Sequence, residues 1–174
     1  MEQDKSKGLY QSAMQLGTYL GIFWAATYIL LFKFPTNTLV STMALAMYMG
    51  SPFLAGRLAA GYRRRECGNY LKFPQAWTLM FGMYMCATLL STMTNYIFFV
   101  IIDQGAFLLQ LDGILQQIIN APGIDELSKV QFEQIREFMS QMTAKDLVWQ
   151  LMNNNFFNSL MLPPVIALFV RKTS

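Results

Sequence analysis

Asn153–Pro164 reads NNNFFNSLMLPP and lies within the last apolar run of the chain, which extends over 147–170. Asparagine amides need hydrogen-bond partners that hydrocarbon does not offer, and prolines interrupt the backbone hydrogen bonds of a helix. The stretch therefore decides whether this run is a broken soluble helix or a membrane-spanning helix with a polar face. We predict a spanning helix, because the asparagines are uncharged and the rest of the run is apolar.

The amides of this run share one side of the predicted helix. Gln150, Asn154 and Asn158 recur every fourth residue, and Asn155 lies beside them. An unpaired amide is costly in lipid, so this face should point into a helix bundle or toward water. Asn95, in the preceding apolar run, is the candidate partner. We treat these five side chains as a candidate polar site.

Charged residues are scarce and clustered. They make up 13% of the 174 residues, whereas 54% are apolar or aromatic; soluble domains have about 25% charged residues. About 20 apolar residues are enough to cross a bilayer. We predict a single all-α integral membrane domain over residues 1–174. Its four transmembrane helices lie at about 10–32, 38–61, 74–102 and 147–170.

The basic residues flank the apolar runs and predict the orientation. They are Lys5, Lys7, Arg57, Arg63, Arg64, Arg65, Lys72, Arg171 and Lys172. By the positive-inside rule, both termini and the loop between the second and third runs face the cytoplasm. The opposite side carries seven acidic residues against three basic ones over 103–146. A nucleic-acid partner is not expected, because the basic residues form no binding stripe.

Arg63, Arg64 and Arg65 are consecutive, and anionic lipid head groups are a candidate partner for them. The simpler interpretation is that they only set the orientation of the protein in the membrane.

An extracytoplasmic, amphipathic helical cap is predicted over 104–145, between helices three and four. Its first helix either lies on the membrane or covers the bundle. Apolar residues repeat at helical spacing over 107–119, with glutamines and an aspartate on the other side. Thr143 and Asp146 have the spacing of a capping box that begins the last helix. A second cap helix should turn its apolar residues inward; these are Leu127, Val130, Ile135, Phe138 and Met142.

Small residues and prolines shape the predicted helix packing. Gly17 and Gly21 lie one turn apart and let two helices approach closely. The pair is compatible with a homodimer, but we favour packing within the chain. Pro52 and Pro163 are candidate hinges, because each proline removes a backbone hydrogen bond.

The residue inventory argues against an enzyme and against a cofactor. The chain has no histidine and no phosphate-binding glycine motif, and it has no charged residue inside the four apolar runs at 8–32, 34–56, 73–102 and 147–170. Met80, Met83, Met85 and Cys86 are soft potential copper ligands. They point to different helix faces, however, and methionine is a common core filler, so no metal site is predicted.

Several stretches resemble the domain-of-unknown-function 4199 family. They are GNYLKFPQAWTLMFGMYM at Gly68–Met85, NYIFFVIID at Asn95–Asp103, LGTYLG at Leu16–Gly21 and PPVIALFVRK at Pro163–Lys172. The family consists of small four-helix membrane proteins found mainly in Bacteroidota. The resemblance implies this topology and a bacterial cytoplasmic (inner) membrane, but no activity.

The resulting functional hypothesis is a non-enzymatic, multi-pass scaffold or accessory subunit of a membrane complex, acting as a homo-oligomer or with a membrane protein partner. The alternative is an oligomeric carrier or channel for a small polar or lipidic solute. In that case the candidate polar site lines the path and Pro163 acts as a hinge.

Overall fold

The computed structural model describes residues 2–172, with side chains described from Gly8 onward. The side chains of Lys5 and Lys7, used above to predict orientation, lie outside the described ones. The chain forms α1 (Glu2–Lys33), α2 (Thr38–Glu66), α3 (Phe73–Tyr96), a π-helical turn (Ile97–Ile102), α4 (Ala106–Ile119), α5 (Glu126–Ser140) and α6 (Ala144–Val170). Over the described residues the predicted all-helical class is confirmed.

Three helical segments are long and apolar enough to cross a membrane. They are Gly8–Lys33, Thr38–Glu66 and Phe73–Ile102. The helix α6 is also long, at 27 residues, but it is not among the three, since its asparagines lower its hydropathy. The chain therefore has the character of a membrane protein, and the fourth span stays a prediction.

The α3 helix is the centre of the bundle, with α1 along one side and α6 along another. Glycines bring α1 and α3 into backbone contact. A Cβ added at Gly17 would lie 2.6 Å from the Met83 carbonyl oxygen, and one added at Gly21 would lie 3.1 Å from Ala87 Cα. The glycine pair thus lies at the interface between α1 and α3 of the same chain, where any side chain would push the two helices apart.

The α6 helix runs antiparallel to α3 over its full length. At one end Val148 packs against Phe99 in the π-helical turn. At the other end, Lys172 and Leu71 exchange two backbone hydrogen bonds of 3.0 and 3.1 Å, just before α3 begins at Phe73. Pro163 lies inside this continuous helix, and Pro52 lies inside α2 in the same way.

The start of α6 is capped as predicted. The Thr143 side chain accepts a hydrogen bond from the Asp146 backbone, and the Asp146 carboxylate accepts one from the Thr143 backbone at 2.9 Å. The Thr143 hydroxyl also donates to this carboxylate, which lowers the pKa of Asp146. The capping box fixes the point at which the last helix begins.

The segment predicted to cap the bundle forms a helical hairpin of α4 and α5. Arg136 on α5 donates to both carboxylate oxygens of Asp112 on α4, at 2.6 and 3.3 Å. These hydrogen bonds lower the pKa of Asp112. The hairpin contacts the bundle through Phe107, whose ring packs on Phe32 and Phe99.

The prediction that the apolar residues of α5 point inward is wrong for four of them, which are exposed: Leu127, Val130, Ile135 and Phe138. An amphipathic pattern identifies a face that can be covered, but not the surface that covers it. The hairpin packs mainly on itself rather than over the bundle.

The Gly17 contact can be tested by adding one methyl group. We expect Gly17→Ala to lower the free energy of unfolding by about 1–3 kcal/mol, because its Cβ would overlap the backbone of α3. Gly50→Ala is the matched control, since nothing lies within 4 Å of that added Cβ, and alanine favours a helix by up to about 1 kcal/mol over glycine. Denaturant titration of the purified variants in detergent measures the free energy of unfolding of each. Equal changes for Gly17→Ala and Gly50→Ala would contradict the contact.

Candidate polar site between the helices

Several polar side chains are buried inside the apolar bundle. They are Thr27, Ser51, Thr88, Ser91, Asn95, Asn155 and Ser159. Thr88, Ser91 and Asn95 follow one another at spacings of three and four residues, which places them on one face of α3. Asn155 and Ser159 lie one turn apart on α6. The two helices thus meet along a polar strip.

Asn155 is the centre of this strip. Its side chain is fully buried, and its Oδ1 atom accepts a hydrogen bond of 2.7 Å from the Tyr28 hydroxyl on α1. The Ser159 hydroxyl donates to the Asn155 carbonyl at 2.8 Å and lies 2.8 Å from the Thr88 hydroxyl on α3. One turn of α6 is therefore bonded to both α1 and α3.

Asn154 and Asn158 bind a second tyrosine. Their Nδ2 atoms both donate to the Tyr48 hydroxyl on α2, at 3.3 and 3.0 Å. The rings of Tyr48 and Tyr28 are neighbours, with centroids 5.8 Å apart. The two tyrosines connect the amides of α6 to α1 and α2.

The five predicted site residues are only partly brought together. Asn154, Asn155 and Asn158 lie together and bind tyrosines, but only Asn155 is buried; Asn154 and Gln150 are exposed. Asn95 is buried, but within the described chain no hydrogen bond joins it to the amides of α6.

Sequence reasoning missed Tyr28, Tyr48, Thr88 and Ser159. Ser159 follows Asn155 at the four-residue spacing that marked the other amides, so that signal was present. The tyrosines carried no comparable signal.

Some buried polar atoms have no hydrogen-bond partner among the described residues. In the bundle they are Trp24 Nε1, Tyr84 Oη, Ser91 Oγ, Thr92 Oγ1, Asn95 Nδ2 and Asn155 Nδ2. Each such group costs about 1–3 kcal/mol relative to a satisfied one. The interior therefore keeps hydrogen-bonding capacity that the helix contacts do not use.

The three consecutive arginines have different surroundings. The guanidinium of Arg63 donates through Nη1 to the carbonyl of Val170, the last residue of α6. A cation suits this position, because the carbonyls at a helix C-terminus are partly negative and lack partners within the helix. Arg64 and Arg65 are exposed. Of the three predicted lipid contacts, Arg63 thus also binds within the protein.

The model of a family described as protein of unknown function, DUF4199, matches residues 15–172, which is nearly the whole chain. The chain belongs to this family. The resemblance drawn from its apolar motifs is thereby confirmed. No curated protein and no solved structure matches the chain. Membership of DUF4199, a family of unknown function, assigns no activity to the chain.

In this DUF4199 protein the strip offers hydroxyl and amide groups for hydrogen bonding. No group of three or more His, Cys, Asp or Glu side chains suited to a metal occurs among the described residues. Met80 and Met83 are buried in the apolar core beside Ala87. The predicted absence of a metal, a cofactor and catalysis stays a prediction.

The Tyr28–Asn155 hydrogen bond can be measured with a double-mutant cycle. We expect Asn155→Leu to lower the free energy of unfolding by about 1–3 kcal/mol, because it removes the acceptor that lies 2.7 Å from the buried Tyr28 hydroxyl. Adding Tyr28→Phe to that variant should cost little more, since the orphaned hydroxyl is then removed. Asn153→Leu, at an exposed position, is the control. Strictly additive effects of the two substitutions would rule out the coupling.

Proposed function

We propose that this protein is a four-span, non-enzymatic membrane scaffold or accessory subunit, and that its α4–α5 hairpin binds a partner membrane protein. The membrane is the bacterial cytoplasmic membrane, and both termini face the cytoplasm.

The fourth span is supported by the position of α6. Val148 near the start of α6 packs on Phe99 in the π-helical turn, and Lys172, just after α6, pairs with Leu71, just before α3. The segment formed by α3 and its π-helical turn is itself long and apolar enough to span. At about 1.5 Å per residue, the 27 residues of α6 extend for about 40 Å. The amides that reduce its hydropathy are directed in part at tyrosines of neighbouring helices. An antiparallel neighbour of similar length, 27 residues beside the 30 of Phe73–Ile102, supports a fourth crossing of the membrane.

The proposed orientation is supported by the separation of charge. Arg63 contacts the C-terminal end of α6, and the backbone of Lys172 pairs with Leu71, two residues before α3, so the basic flanks meet at one end of the bundle. The hairpin, with the acidic residues of 103–146, follows the opposite end of α3. This is the charge asymmetry that the positive-inside rule describes.

The orientation is testable with a single accessible thiol. In a chain with Cys67 and Cys86 replaced by Ser, Arg64→Cys should react with a membrane-impermeant maleimide only after the cells are opened. Glu133→Cys, on the hairpin, should react in intact spheroplasts. Labelling of position 64 from outside would overturn the proposed topology.

The exposed face of the hairpin is the observation that supports a scaffold. Leu127 is 72% exposed and Phe138 is 59% exposed, although α5, the helix that carries both, is well formed. Ile135 and Phe138 line an open groove on α5 together with Gln131 and Gln134. The Asp112–Arg136 pair and the packing of Phe107 hold the hairpin to a defined shape. A contiguous apolar face of this kind is typical of an interaction surface.

Photo-crosslinking in native membranes tests the proposed partner. Benzoylphenylalanine introduced as Leu127→benzoylphenylalanine or Phe138→benzoylphenylalanine should give the same protein adduct, because both positions lie on the exposed apolar face. Glu133→benzoylphenylalanine, on the polar side of α5, is the matched control. Coexpression with a tagged copy of different mass shows whether the crosslinked adduct contains a second copy of this chain or a different protein. Protein adducts no more abundant than at position 133 would contradict the scaffold.

A carrier or channel is the second candidate, favoured by the unpartnered donors of Asn95, Asn155 and Tyr84. Against it, Asn154 and Asn158 are bonded to Tyr48 and thus serve packing. Glycerol is a suitable small polar probe for an osmotic swelling assay. Equal swelling rates in liposomes with and without the protein would count against this candidate.

A further inference from the structure

A groove between α1 and α2 lies at the basic end of the bundle. Its cavity volume is about 390 Å³, within the usual range of about 300–1,000 Å³ for small-molecule sites. Its wall contains two arginines, Arg57 and Arg65, and one acid, Glu66. The other lining residues are two leucines and a glycine, Leu16, Leu58 and Gly61, and four polar side chains, Ser12, Gln15, Tyr19 and Tyr62. Both a charged and an apolar surface are therefore available to one ligand.

The two arginines are positioned for an anion. They are eight residues apart on α2, which is roughly 12 Å along the helix axis. Neither is in an ion pair; the two ion pairs of the described residues are Lys129–Glu126 and Asp112–Arg136, both on the hairpin. Planar guanidinium groups bind phosphate oxygens through two parallel hydrogen bonds. With Glu66, the charges of the groove leave one net positive charge.

The apolar wall points to a lipid rather than to a free anion. Leu16 and Leu58 line the same groove as the arginines. Arg57 directly follows the charge-free run that ends at Gly56 and lies in the last turns of the predicted span at 38–61, so the groove lies at the cytoplasmic boundary of the proposed membrane. A dissolved phosphate gains nothing from leucines, whereas an acyl chain does.

We propose that this groove binds one anionic glycerophospholipid of the cytoplasmic leaflet. Its phosphate binds Arg57 and Arg65, and the upper part of an acyl chain lies along Leu16 and Leu58. The site differs from a general basic surface, because it uses one of the three consecutive arginines together with a fourth. Arg63 is held by the end of α6 instead.

Glu66 makes phosphatidylethanolamine the critical competitor. Its ammonium group could pair with this carboxylate, while its phosphate binds an arginine. That lipid is neutral, however, and would leave the net positive charge of the groove unbalanced. The groove should therefore prefer phosphatidylglycerol, whose head-group hydroxyls can also donate to Glu66.

Native mass spectrometry of the delipidated, full-length protein titrated with phosphatidylglycerol tests this site. We expect a single tightly bound lipid. Arg65→Gln should weaken its binding about fivefold, and Arg57→Gln with Arg65→Gln about 25-fold. Arg64→Gln, which removes an adjacent charge outside the groove, should leave binding within about twofold.

A second variant changes shape without changing charge. Gly61 lines the groove, and an added Cβ there meets nothing within 4 Å. Gly61→Leu should therefore fill the cavity, keep the fold and weaken phosphatidylglycerol binding. The unfolding midpoint without lipid confirms that each variant is folded.

Three results would overturn the site. Equal losses for Arg64→Gln and Arg65→Gln would indicate general surface charge. Binding of phosphatidylethanolamine as tight as that of phosphatidylglycerol would refute the preference for an anionic lipid. Stabilisation by inorganic phosphate equal to that by phosphatidylglycerol would indicate a site for the free anion. None of these results bears on the partner of the hairpin.

Discussion

A polar group inside an apolar bundle must find its hydrogen-bond partner within the protein, and this constraint explains much of the structure. Asn155 binds Tyr28, Asn158 binds Tyr48, and Ser159 lies in contact with Thr88. These contacts join α6 to α1, α2 and α3. The polar residues of α6, which keep it out of the three segments apolar enough to span a membrane, are thus the ones that attach it to the other helices. The helix depends on its neighbours for a stable place in the membrane that we propose for it.

The hydrogen bonds in turn depend on close packing between α1 and α3. Gly17 and Gly21 allow the two backbones to touch, and Trp24 and Tyr28 follow on the same side of α1. Trp24 packs edge-on against Tyr84 of α3, with ring centroids 5.6 Å apart. A larger residue at either glycine would move the Tyr28 hydroxyl away from Asn155. The two glycines in the middle of α1 therefore determine the geometry of the polar contact that Tyr28 makes nearer its C-terminal end.

Sequence reasoning was most successful where the cause is local. The helical class, three apolar segments of spanning length and the Thr143 capping box follow from residues close together in the chain. The partners of the asparagines do not, because Tyr28 and Asn155 are 127 residues apart, and Tyr48 and Asn158 are 110 apart. Periodicity identifies the polar face of α6 but not the helix that covers it. The three arginines illustrate the same limit, since successive residues differ by about 100° around a helix. Only the packing of α2 against α6 determines that Arg63 binds Val170 while Arg65 faces the groove.

Arginines without an ion pair and an uncovered apolar helix face lie at the two ends of the molecule, and both favour a function there. In the middle, the amides of Asn154 and Asn158 are both engaged by a single tyrosine hydroxyl, which ties α2 to α6 and opposes a continuous path between them. At one end, arginines without carboxylate partners line a groove with leucines. At the other end, α5 leaves its apolar side chains uncovered although its N-cap and ion pair are complete. The helix α5 is well formed, yet nothing in the described chain covers its apolar face. The simplest explanation is that another molecule binds this face.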